Sequence, residues 1–191
     1  LHTYGCLMPD VMNLSAREVV MPVVPMFHVN AWSMPYGAAV VGAKLVFPGP
    51  KMGDGEMLQR LIEGEGVTVT AGVPTVWLAL LTHLDRSGTG VPSLKRVIVG
   101  GSACPRAVME AFEQKHGVHV HHAWGMTEMS PIGTFNSPSA DFDTLSPEEQ
   151  WAQRLRVGRP VYGVEVKIVD ATGAELPWDG VSSGELKVRG P

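Results

Sequence analysis

Short β-branched runs alternate with helix-length segments along most of this chain, and that alternation limits the fold more than any other feature. Residues 94–99 (Leu-Lys-Arg-Val-Ile-Val) read as a strand, 105–115 as a helix with proline in its first turn, and 118–122 as the next strand. Upstream, residues 18–24 form an apolar strand, and 43–47 form another that ends at Pro48-Gly49-Pro50. Asp54 is placed to cap a helix running to residue 65, with Met57, Leu58, Leu61 and Ile62 at helical spacing. Residues 67–71 are strand-like, and 75–84 form an apolar helix closed by Ser87-Gly88-Thr89-Gly90. The stretch 28–42, rich in small residues, is expected as a buried helix despite Pro35 and Gly37. Strands that alternate with helices imply an α/β fold, a parallel sheet flanked by helices. Ligands of such sheets collect beyond the carboxyl ends of the strands, where the glycine-bearing segments after Val99 and His122 fall.

The pattern changes near Arg156. Residues 164–169 alternate apolar with charged side chains, Asp170-Ala171-Thr172-Gly173 is a turn, and 184–188 is a further short strand. Residues 157–191 are therefore expected to begin a small β-rich, barrel-like subdomain after an α/β part spanning 1–156. Between them lies a polar, acidic stretch, 139–153, in which Ser146-Pro147-Glu148-Glu149 has the form of a capped helix start.

With 45% hydrophobic and 18% charged residues in 191, the chain has enough apolar side chains for a substantial packed core. A net charge of −4 and the lack of any basic run argue against a nucleic-acid partner. Cys6 and Cys104 form neither a disulfide framework nor a metal spacing, so a reducing, cytoplasmic setting is expected. No signal-peptide pattern and no apolar run of spanning length occurs. Ten methionines fit a role as core gap-fillers, with the lining of a flexible apolar pocket as the alternative.

Residues 121–134 concentrate groups suited to a nucleotide. Trp124 offers a flat face for a base, and Gly125 lets backbone approach a phosphate with no Cβ in the way. Thr127 can donate to a phosphate oxygen, and Glu128 supplies the hard oxygen that Mg²⁺ prefers. The pattern would also suit an ordinary turn. Gly100-Gly101-Ser102-Ala103-Cys104-Pro105 follows a strand and opens a helix, so its free amides can face a ligand; a plain strand–helix turn is the other reading. In Pro25-Met26-Phe27-His28-Val29-Asn30-Ala31-Trp32, His28 and Trp32 share one face if the segment is helical. His119 and His121 share a strand face, but no third ligand stands at a recognisable metal spacing.

Together these segments, with Val73-Pro74-Thr75-Val76-Trp77 and Val157-Gly158-Arg159-Pro160, resemble the adenylate-forming superfamily and within it the fatty acyl-CoA synthetases. The resemblance runs through essentially the whole chain. It implies an enzyme that uses ATP and Mg²⁺ to join a fatty acid, or another small carboxylic acid, to coenzyme A through an acyl-adenylate. On that basis Gly101, Ser102, Ala103 and Cys104 border adenine, Gly101 also touching the acyl group. His122, Ala123, Trp124, Gly125 and Met126 continue the nucleotide pocket, where tryptophan replaces the more usual tyrosine. Thr127 binds phosphate, and Glu128 is the Mg²⁺ ligand. His28 lies beside the substrate carboxylate, while Trp32 and Pro131 border the acyl group. Cys104, with no basic partner nearby in sequence, is expected to be an apolar wall and not a nucleophile.

The resemblance also implies parts that this chain lacks: a phosphate loop ending in Pro-Lys-Gly, a ribose-binding aspartate, and a lobe bearing a catalytic lysine. The expectation is an interior piece of a longer enzyme, possessing no catalytic activity alone, whose parent forms a homodimer. The rivals are a ligase for a short-chain, aryl or methylthio acid, and a non-catalytic nucleotide-binding module.

Overall fold

The computed structural model describes residues 2–191. After a single helical turn, α1 (His2–Gly5), the chain builds a seven-stranded sheet in the order β2-β1-β3-β4-β5-β6-β7. Its strands are β1 (Val19–Pro22), β2 (Lys44–Leu45), β3 (Val69–Gly72), β4 (Arg96–Val99), β5 (His119–Gly125), β6 (Ile132–Phe135) and β7 (Arg159–Pro160). Strands β2, β1, β3, β4 and β5 pair in parallel, as the alternation of elements requires. Strands β6 and β7 join antiparallel, and neither was apparent from periodicity. A second sheet holds the hairpin-like pair β8 (Glu165–Val169) and β9 (Glu185–Arg189), antiparallel and in uninterrupted register.

Both faces of the large sheet are buried at its central strands, and the period-two alternation of strand side chains divides them. Val97 and Val99 point to one face, where α4 (Gly55–Glu65), α5 (Pro74–Ser87) and α6 (Arg106–His116) pack with Leu58, Ile62, Trp77, Leu80, Met109 and Phe112. Trp77 and Phe112 meet edge to face at 6.3 Å, and the indole Nε1 donates to the Gly72 carbonyl at 3.1 Å. Ile98 points to the opposite face, which is covered by residues 6–14 and α3 (Met34–Val41). Asp54 caps α4 by accepting from the Met57 amide at 3.1 Å. Ser146 and Glu149 form the reciprocal capping box of α7 (Pro147–Arg154). Among the described residues, no helix is long and apolar enough to cross a membrane.

The segment expected as one helix over 28–42 is broken. Its first turn, α2 (Val29–Trp32), is left-handed, and α3 starts only after Ser33. Val29, Asn30, Ala31, Trp32 and Ser33 all have φ between 43° and 61°. Such a conformation costs an L-residue roughly 1–2 kcal/mol, so packing must hold it: Ala31 is fully buried and Trp32 nearly so. The strand expected at 118–122 also runs three residues further, because β6 folds back to satisfy the far edge of β5.

Candidate functional site

Three crossings of the sheet bring the singled-out segments to one edge. The left-handed turn follows β1, the Gly100–Pro105 loop follows β4, and Trp124 to Thr127 ends β5 and opens a 3-10 turn (Thr127–Met129). All three lie beyond the carboxyl ends of parallel strands, as ligand sites in open α/β sheets do. A cavity of about 170 Å³ opens among them, bordered by His28, Trp32, Gly101, Ala123, Trp124, Gly125, Met126, Thr127 and Pro131. Each of these residues was a candidate from sequence.

Close backbone contacts hold the loops together. The Trp32 indole lies on Gly100, where an added Cβ would stand 3.1 Å from Cη2 and 3.2 Å from the Ala123 carbonyl oxygen. The Ser33 hydroxyl donates to the Ser130 carbonyl at 3.2 Å, tying the left-handed turn to the loop that carries Pro131. Met126 N–H donates to the Pro131 carbonyl at 2.9 Å, closing the β5–β6 connection, in which the Ser130–Pro131 peptide is cis.

The remaining candidates lie around this cavity and not in its wall. Ser102 and Ala103 are exposed on the loop between β4 and α6. Cys104 is buried below them, and burial pushes its thiol up to about 11, so at neutral pH it is a neutral thiol and a poor nucleophile. His122 is buried on the sheet face opposite the cavity; burial lowers its pKa, the backbone of Ser102 and Leu155 opposing the shift. Its Nδ1 has no hydrogen-bond partner among the described residues. Glu128 is exposed on the 3-10 turn and takes part in no ion pair among the described residues. A lone free carboxylate fits Mg²⁺, which usually takes one or two protein carboxylates, substrate phosphates and several waters. His119 and His121 stack edge to face at 4.6 Å; His121 Nδ1 meets the Asn136 carbonyl oxygen at 3.0 Å, and His119 Nδ1 lies 3.3 Å from Glu113. Both rings are engaged in packing and local polar contacts.

Met12, Val29, Met34, Ala71, Ile98, Gly100 and Ile132 complete the lining. Ala71 and Ile98 are paired across β3 and β4 and share the face of Ala123, so strand alternation was their only signal. Met12 and Met34 carried only the general signal of methionine richness: their place comes from the packing of residues 6–14 and α3, which no local pattern encodes.

The family model for the AMP-binding enzymes matches residues 1–191. The chain belongs to the AMP-binding enzyme family. Over 190 residues, all of this chain, it is 55% identical to a medium-chain-fatty-acid–CoA ligase of Ectopseudomonas oleovorans. It is 53% identical over 190 residues to a 3-methylmercaptopropionyl-CoA ligase of Ruegeria lacuscaerulensis. The chain spans 35% of the length of each of these curated relatives. Its fold superimposes on the crystal structure of a long-chain-fatty-acid–CoA ligase from Archaeoglobus fulgidus with a TM-score of 0.78 and 25% identity. That match covers 97% of this chain and 37% of the crystallised one. This AMP-binding chain thus has the mostly parallel α/β sheet that its sequence implies, with a small antiparallel sheet at its C-terminal end.

Proposed function

We propose that this chain forms the acyl- and adenylate-binding wall of an ATP-dependent acid–CoA ligase. One observation carries the reading: three loops distant in sequence converge on one apolar cavity whose mouth bears an imidazole, an indole and a threonine hydroxyl. An apolar tail would enter among Trp32, Ala123 and Pro131, leaving its carboxylate at the exposed mouth near His28. The adenine would lie on Trp124, between the strand end and the Gly101–Cys104 loop, with Thr127 donating to a phosphate oxygen. Mg²⁺ held by Glu128 would neutralise charge on the phosphates. In the first half-reaction the carboxylate oxygen attacks the α-phosphorus, forming the acyl–phosphate bond as pyrophosphate leaves. In the second, the thiolate of coenzyme A attacks the acyl carbon, AMP leaves, and the thiol proton passes to solvent. The two relatives named above carry different acids in their names but share coenzyme A ligation, which supports this common reaction.

The activity is that of the whole ligase, since this chain spans about a third of its relatives. Removing one preorganised charge-stabilising group raises a barrier by roughly 3–4 kcal/mol, and we infer that these 191 residues alone do not turn over. The test is pyrophosphate release by the whole ligase with a set of straight-chain acids, run beside the 191-residue chain. Acid-dependent release by the whole protein, coupled to coenzyme A consumption, is expected. Its absence with every acid, despite tight adenylate binding, would favour a non-catalytic nucleotide-binding module.

A further inference from the structure

We infer that Met12 and Met34 form the floor of the acyl cavity and limit this ligase to acids with short apolar tails. The inference rests on the ligase reading above and names the acid.

The cavity has a clear polarity of exposure. Its mouth residues, Gly101, Gly125, Met126 and Thr127, are exposed, whereas Met12, Met34, Ala71 and Ile98 are 2%, 0%, 1% and 2% exposed. The second group is therefore the inner end. Ala71 and Ile98 are neighbours in register on β3 and β4, and they present the sheet surface. Met34, the first residue of α3, and Met12, in the turn after α1, belong to the same buried cluster and close the space above that surface. No charged side chain lines the inner end, so it accepts an apolar tail and rejects a hydroxyl or a second carboxylate.

Size sets the limit. At about 170 Å³ the cavity is smaller than the roughly 300–1,000 Å³ typical of small-molecule pockets. A long chain could enter only by displacing the floor. That floor consists of two unbranched thioethers that fill space without locking it. Removing either methionine side chain should therefore enlarge the cavity at its inner end, whereas Met→Leu should not. Tail length is a sensitive readout, because one methylene in an apolar pocket changes kcat/KM by roughly 10–200-fold.

The experiment measures kcat/KM for pyrophosphate release by the whole ligase with straight-chain acids from butanoate to dodecanoate. Wild type, Met34→Ala, Met12→Ala and Met34→Leu are compared, with thermal unfolding recorded for each. Wild type should favour the short acids. In the alanine variants the ratio of kcat/KM for decanoate over butanoate should rise on the order of 10–200-fold, and Met34→Leu should keep the wild-type ratio. Should the alanine variants not fold, Ala71→Val tests the same floor from the sheet side and should move the optimum to a shorter acid. A wild type as active on dodecanoate as on butanoate overturns the inference, as do folded variants with an unchanged profile. Failure of every acid to support release overturns the ligase reading itself, and this inference with it.

Discussion

A Cβ built on Gly125 would stand 1.8 Å from the carbonyl oxygen of Pro131. The two backbones meet because Met126 N–H donates to that same carbonyl, pulling the end of β5 against the start of β6. Glycine is thus required for closure of the site's rim, beyond any access it gives a phosphate. Gly125→Ala must separate the two strands, and overpacking of this kind costs roughly 1–3 kcal/mol. The expected result is a lower denaturation midpoint together with loss of adenylate binding. A variant with the wild-type midpoint would mean that the connection gives way freely.

Trp124 borders two cavities, the one proposed to take the acyl tail and a second one lined by Val157, Arg159, Val166 and Trp178. Its side chain packs against the core on one side but is only half-buried, which leaves part of it accessible for stacking. Stacking of a base on an aromatic side chain is worth roughly 1–3 kcal/mol. Calorimetry of the whole ligase with an acyl-adenylate analogue should show Trp124→Ala weakened by about that amount and Trp124→Phe much less so. Equal affinities for all three forms would remove the adenine from this wall.

Glu128 sits exposed at the 3-10 turn, so its replacement leaves no buried charge behind. Glu128→Gln should fold normally yet lower kcat for pyrophosphate release by roughly 10²-fold or more, with part of the loss recovered at high Mg²⁺. Full activity at limiting Mg²⁺ would exclude the carboxylate as a metal ligand.

Much of this arrangement was legible in the residues. The β–α alternation, the Asp54 and Ser146 caps, and the C-terminal hairpin each rest on local chemistry that tertiary structure did not override. The left-handed turn at Val29–Trp32 was not legible, because β-branched and aromatic side chains disfavour positive φ and only their surroundings hold them there. Strand β6 escaped for a different reason. Ile-Gly-Thr-Phe has no alternation, and its four residues are buried on both sides by β5, β7 and the core. In the site, the mouth was carried by side chains with distinctive chemistry, whereas the floor at Met12 and Met34 is a product of long-range packing.

Cys6 and Cys104 are both buried, and burial raises each thiol to about 11. At pH 8 only about one in a thousand of either is thiolate. A thiol-specific reagent should react slowly with the native protein and stoichiometrically once it is unfolded. Fast modification of one equivalent in the native state would contradict a wall role for Cys104.

His121 links the fold to pH. It stacks on His119, which lies near the Arg96 guanidinium, and burial is the main reason its pKa falls from 6.5 to about 4. The folded state therefore holds fewer protons than the unfolded chain between those values, and stability rises with pH across that window. Above pH 6.5 the full contribution is present; as pH falls toward 4 the unfolded state gains a proton that the folded one refuses. The shift corresponds to a loss on the order of 3 kcal/mol by pH 4. Burial lowers His116, His119 and His122 as well, so their contributions have the same sign. Replacing His121 by asparagine removes the titrating ring, although it also gives up the ring's packing against Phe135. The variant should thus be less stable at pH 7.5, yet lose less on acidification to pH 4.5 than wild type does. Denaturant midpoints at the two pH values measure both effects, and an unchanged slope between them would show that His121 already accepts a proton in the folded chain.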